Sequence, residues 1–174
     1  TFGEATKFSQ TLLEADKVYE ATVLLGVTTT TADAEGEVLA TMAVEVSDAA
    51  IEAALVQLRG EIDQVPPMYS ALKHHGKALY EYARAGIEIP REARRVTIYG
   101  FECLGRDGDS LRVRVACSKG TYVRTLASDL GALLGCGAHL TALRRTRIGP
   151  FELEGSIALA DFEALPEAGR DAEL

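Results

Sequence analysis

Four groups of residues carry side chains whose types and spacing could do chemistry or grip a charged ligand. In Cys117-Ser118-Lys119-Gly120-Thr121-Tyr122-Val123-Arg124-Thr125 an apolar strand ends, Gly120 turns the chain, and Arg124 falls in or near the first turn of a helix. A cation there opposes the helix dipole at a cost of ~0.3–1 kcal/mol. The placement makes physical sense if an anion from elsewhere sits against it, either a substrate phosphate or a carboxylate to be held ionised and oriented. Taken alone it fits an exposed arginine of no consequence equally well. Tyr19 shares the apolar face of a strand. It reads as a core tyrosine with its hydroxyl at the rim, or as a ring that stacks on a base taken out of its helix. Leu143-Arg144-Arg145-Thr146-Arg147 sets an apolar residue beside three basic ones. A strand puts Arg145 and Arg147 on Leu143's side and Arg144 on the other, which suits a functional wall or an edge strand guarded by charge. Pro66 through Lys77 mixes aromatic, hydroxyl and basic groups in a stretch unsuited to regular structure, the kind of loop that grips a phosphate backbone.

Other chemistries find no footing. The sequence has no P-loop, no dinucleotide fingerprint, no Ser-His-Asp spacing and no Cys-x-x-Cys. His74 and His75 are adjacent but have no third ligand at a sensible spacing, so no metal site is expected. Cys103, Cys117 and Cys136 sit in apolar contexts and read as reduced core residues, pointing to a cytoplasmic setting. No apolar run is long enough for a membrane span, so no membrane partner is expected.

The net charge of −8 argues at first against a polyanionic partner. Its distribution says otherwise. Residues 68–95 carry a net +3 and residues 119–147 a net +4, leaving −15 on the rest. Two basic segments on an acidic background suit local capture of a polyanion, although charge alone fits two solvated faces as well.

These residues need elements to hold them. The 174 residues suit one domain, 47% hydrophobic and 25% charged. Tyr19, Ala21, Val23 and Leu25 alternate within a strand over 18–26, followed by a polar loop over 28–36. Ser47 caps a helix with a stripe of Ile51, Ala54, Leu55 and Leu58, ended by Gly60. A short helix is expected over 77–84, then a charged loop over 90–95. A strand over 96–104 turns through Arg106-Asp107-Gly108-Asp109 into a partner carrying Leu111, Val113, Val115 and Cys117. A helix then runs to about Leu134 with Leu126, Leu130, Leu133 and Leu134 on one face and Gly135 as its cap. A strand over 139–149 and a short helix over 159–165 follow, with an acidic tail at 166–174. The reading is α+β: a mostly antiparallel sheet with helices packed on it.

The ordered set of segments Gly3 through Phe8, Asp16-Lys17-Val18-Tyr19, Ala32 through Gly36, Pro66 through Lys73, Leu79 through Arg84, Pro90 through Arg94, Ser118 through Arg124 and Gly135 through His139 resembles the TruB family of tRNA pseudouridine synthases. Each segment alone is weak, but the order over nearly the whole chain is specific.

The resemblance implies isomerisation of a T-loop uridine of tRNA (position 55) to pseudouridine, with no cofactor and no metal, by a monomer acting on the T-arm stem-loop. It implies a partial catalytic domain over 1–165 with a thumb-like RNA-binding insertion at 67–95. Tyr19 would stack on the flipped uracil and help a proton step, Arg124 would pair with the nucleophilic aspartate, and Leu143 would form an apolar wall. Lys7, Asp33, Lys73, Lys119 and Arg144 would contact RNA. The family's nucleophile lies in a Gly-rich motif ahead of the segment at Gly3. The expectation is therefore that the chain lacks it, as it lacks the family's usual C-terminal RNA-binding module, and that this polypeptide alone is inactive. The alternative reading is a non-catalytic tRNA-binding module. The chain also departs from the family at Thr28-Thr29-Thr30-Thr31, where Arg-Thr-Asp-Thr is usual.

Overall fold

The computed structural model describes residues 6, 7 and 9–166. The first five residues, Phe8 and most of the expected acidic tail lie outside that set, and so does much of the motif at Gly3 through Phe8. Strict alternation builds the centre. In β1 (Lys17–Leu25) the odd positions Ala21, Val23 and Leu25 are buried, and in β8 (Ser110–Cys117) Leu111, Val113, Val115 and Cys117 are. The two pair antiparallel with Tyr19 opposite Val115 and Val23 opposite Leu111, so both apolar sets fall on one face. Including β4 (Gly60–Gln64), β7 (Arg94–Asp107), β9 (Ala138–Ile148) and β10 (Phe151–Glu152), the six-stranded sheet runs β10-β9-β1-β8-β7-β4, antiparallel throughout.

Beyond the short α1 (Ser9–Glu14), two helices cover the apolar face. In α2 (Asp48–Gln57), Ser47 accepts from the amide of Ala50 as the expected cap, and Ile51, Ala54 and Leu55 are buried. In α4 (Val123–Leu134), Val123, Leu126, Ala127 and Leu130 enter the same core. Leu126 and Leu130 are fully buried, each contributing ~1.5–3 kcal/mol of apolar transfer. Gly135 ends α4 in the left-handed conformation, as read from the sequence. Gly131 lets the helix lie directly on β9, since a Cβ there would fall 2.2 Å from the backbone nitrogen of Ala138. The opposite sheet face carries polar side chains such as the Glu20–Arg114 ion pair.

Several expectations need correction. Leu133 is exposed rather than part of the buried stripe, because it lies in the last turn of α4 at the outer edge of the buried arc, just beyond the angle of Leu126. Cys103 is exposed, while Cys117 and Cys136 are buried thiols. The loop read over 28–36 begins inside β2 (Val27–Thr29), which pairs with β3 (Val38–Thr41) in a small hairpin, and its remainder connects the two strands. The helix read over 77–84 is a two-residue strand β6 (Lys77–Ala78), paired with β5 (Lys73–His74), then α3 (Leu79–Arg84). The last helix, α5, spans Leu159–Ala164. Among the described residues no helix is long and apolar enough to cross a membrane, and no three His, Cys, Asp or Glu side chains group as metal ligands would.

Candidate active site

A cleft of about 400 Å³ opens where β1, β9, the N-terminus of α4 and the β2–β3 connection meet. Tyr19, Asp33, Arg124 and Leu143 all line it. Strand pairing sets the first wall. β1 and β9 are antiparallel with Ala21 opposite Leu143 and Tyr19 opposite Arg145, so the phenol, the leucine and a guanidinium share one patch of sheet. Tyr19 is half-buried, and burial pushes its hydroxyl above the ordinary phenol range, opposed in part by a hydrogen bond from Arg145. Leu143 keeps 49% of its surface exposed, an apolar side chain facing open space.

Arg124 projects from the first turn of α4. Its Nη1 donates to Asp33 Oδ2 at 2.7 Å and its Nη2 to the carbonyl of Tyr69, also at 2.7 Å. Both side chains of the ion pair are largely buried, at 25% and 21% exposed. An anion does sit beside this cation: Asp33, 91 residues away in the chain. The resemblance cast Asp33 as an RNA contact; here its carboxylate first serves Arg124.

The four-threonine run builds the turn that presents Asp33. Thr29 Oγ1 donates to the Asp33 carbonyl at 2.7 Å, Thr31 Oγ1 to Asp33 Oδ1 at 2.5 Å, and Thr30 Oγ1 accepts from the amide of Glu37 at 3.1 Å. Ala32 takes a left-handed conformation (φ 59°), and its carbonyl accepts from Leu140 at 3.0 Å, hooking the turn onto β9.

The other expected site residues stand apart from the cleft. Lys7 is exposed near the N-terminus. Lys73 lies on β5, lining a smaller groove with Arg91 and Arg94. Lys119 pairs with Glu14. Arg144 projects to the other side of β9, beside Glu20 and Arg112. Strand parity had separated Arg144 from Arg145 correctly, but nothing local in the sequence pointed to the Arg124–Asp33 pairing.

Residues 1–123 match the TruB family pseudouridylate synthase N-terminal domain, and residues 124–173 match the tRNA pseudouridylate synthase B C-terminal domain. The chain belongs to the TruB family. The two matched stretches meet between Val123 and Arg124, so the cleft takes Tyr19 and Asp33 from one and Arg124 and Leu143 from the other. The tRNA pseudouridine synthase B of Aromatoleum aromaticum is 67% identical over 98% of this chain, which covers 55% of that protein. That of Chromobacterium violaceum is 63% identical over 99% of the chain, covering 56% of it. The chain therefore spans little more than half the length of these relatives. Among solved structures, a Cbf5-Nop10-Gar1 complex superposes with a TM-score of 0.70 and 31% identity, over 99% of this chain and 45% of the other. An H/ACA RNP bound to a substrate RNA containing 2'-deoxyuridine gives 0.65 and 27%, over 99% and 44%.

Proposed function

We propose that this chain forms much of the catalytic domain of a tRNA pseudouridine synthase that isomerises the T-loop uridine at position 55. The observation that carries this is the convergence of Tyr19, Arg124 and Leu143, distant in sequence, on one cleft. A uracil extruded from its stack would enter between the Tyr19 ring and Leu143, where apolar contact replaces lost stacking. The reaction exchanges an N1–C1′ bond for a C5–C1′ bond, the proton leaving C5 as N1 gains one. It is redox-neutral and asks of the protein only a nucleophile, orientation and a proton path. Tyr19, whose hydroxyl burial pushes further above the ordinary phenol range, is suited as a neutral phenol to that path near C5.

Arg124 engages two of its five N–H donors here. It can therefore hold a second, nucleophilic carboxylate while still anchored to Asp33. We take that carboxylate to be the aspartate that the family carries ahead of the segment at Gly3. Lys7, Lys73, Lys119 and Arg144 would meet RNA on the surfaces beyond the cleft, Asp33 would meet it within the cleft, and the segment 67–95 would close on the stem-loop.

A T-arm stem-loop tritiated at uracil C5 tests this. We would compare the chain as it stands with a chimera carrying the segment that precedes the matched region in the Aromatoleum aromaticum relative. The chimera should release tritium and the chain alone should not. A folded, RNA-binding chimera without release would favour a non-catalytic tRNA-binding module. Release by the chain alone would overturn the assignment of the nucleophile.

A further inference from the structure

Gln64 occupies the last position of β4, an edge strand whose outward residues Glu61 and Asp63 pair with Arg95. Its own side chain turns inward and is only 3% exposed, at a position where an apolar residue would serve the core. Both ends of the amide are used on a single distant residue. The amide N–H of Tyr122 donates to Gln64 Oε1 at 2.8 Å, and Gln64 Nε2 donates to the carbonyl of Tyr122 at 3.2 Å. The side chain thus acts on Tyr122 as a neighbouring strand would, through one acceptor and one donor.

Tyr122 is the N-cap residue of α4. It is extended (φ −102°, ψ 107°) and has no side-chain cap. Its carbonyl also accepts from the amides of Thr125 and Leu126, so Gln64 grips the point from which the helix starts. Arg124 lies two residues further on. In the other direction Pro66 lies two residues beyond Gln64, its carbonyl receiving Arg91 Nη1 at 3.1 Å, and Tyr69 follows, its carbonyl receiving Arg124. The contacts close a circuit: Gln64 to Tyr122, along the helix start to Arg124, across to Tyr69 and back along the chain to Gln64.

We propose that Gln64 is a positioning residue for Arg124, fixing the first turn of α4 and the root of the 67–95 segment as one unit so that the guanidinium stays aimed into the cleft. The catalytic consequence rests on the function proposed above; the geometric one does not. A satisfied core amide of merely structural value would change stability when replaced and leave Arg124 where it is.

Two variants separate these cases. Gln64→Met keeps the volume and removes both hydrogen bonds. Gln64→Glu keeps the acceptor for the Tyr122 amide and loses the donor to its carbonyl. In the chain itself, nitrogen-15 NMR of the Arg124 guanidinium reads the ion pair directly. Gln64→Met should move that signal towards the one seen when Asp33→Asn removes the partner, with core methyl signals unchanged and Gln64→Glu between. An unmoved Arg124 signal overturns the proposal, and Gln64→Glu decides the same way if Gln64→Met does not fold. In the chimera, Gln64→Met should lower kcat on the order of 10- to 100-fold with KM nearly unchanged, as small misplacements of reacting groups do. It should add nothing further to Arg124→Ala. Equal losses in both backgrounds would contradict action through Arg124. A chimera inactive in every form would count against the proposed function, and the NMR comparison would still decide the role of Gln64.

Discussion

The two regions that Arg124 joins, the sheet wall of the cleft and the 67–95 segment, are built on different physics. Tyr19 and Leu143 stand on paired strands whose neighbours Ala21, Val23 and Leu140 belong to one continuous core shared with α2 and α4. The 67–95 segment, joined to Arg124 through the Tyr69 carbonyl, buries Ser70, Ala78 and Leu79 apart from that core and, short of β7, is otherwise tied down by point contacts. Arg124 reaches the Tyr69 carbonyl, Arg91 the Pro66 carbonyl, and the Tyr82 hydroxyl the His74 carbonyl. The cleft wall is preorganised by packing, whereas the segment is held by a few polar links. Segments with little apolar burial open at low free energy, which suits the closure on a stem-loop proposed for 67–95.

The largest effect that would break this contrast is in stability. Leu130→Ala should cost about 2–5 kcal/mol in denaturant unfolding, because a fully buried side chain leaves a cavity. Leu79→Ala, nearly as buried, should leave that transition within about 1 kcal/mol while speeding amide exchange across 67–95. Equal global losses would show that the segment shares the main core after all. Gly131→Ala should cost ~1–3 kcal/mol by forcing α4 off β9, and unaltered stability would mean that the helix sits less closely than described.

A smaller effect concerns Asp129 on α4, whose carboxyl is pushed above its ordinary value by burial. The folded state therefore binds the proton more tightly than the unfolded state. Ionised Asp129 weakens the fold at neutral pH, and the penalty fades as pH falls through the raised pKa. Asp129→Asn should raise Tm at pH 7.5 and lose that advantage near pH 4; a gain independent of pH would point to another cause. Smallest of all, Lys73→Ala on the loosely held side should weaken stem-loop binding and reduce the logarithmic salt slope by about one, the share of one phosphate contact. An unchanged slope would take Lys73 out of the RNA interface.

The packed wall was the more legible in the sequence. Alternation through Leu111, Val113, Val115 and Cys117, and through Ala21, Val23 and Leu25, marked the central strands because half-buried strands repeat every two residues. The cap at Ser47 and the stop at Gly135 marked their helices. β4 escaped notice because Gly60-Glu61-Ile62-Asp63-Gln64 offers one apolar residue and sits at the sheet edge. β2 escaped because a run of threonines reads as polar loop. Within the site, the family resemblance supplied Tyr19, Arg124 and Leu143, and local pattern gave Arg124 its helix start and its need for an anion. The partner Asp33 was not legible as such, since a pairing across 91 residues leaves no mark in local spacing. The same holds for Gln64 and Tyr122, 58 residues apart.

The whole account turns on Arg124 holding charge in the cleft, and single-turnover conversion of a T-arm stem-loop by the chimera bearing Arg124→Ala tests it most directly. Losing the guanidinium that would orient the nucleophilic carboxylate should slow the reaction on the order of 100-fold, about 3 kcal/mol of barrier. The expected result is a fall of that size with stem-loop affinity changed little. A rate close to that of the unsubstituted chimera would contradict the role given to Arg124.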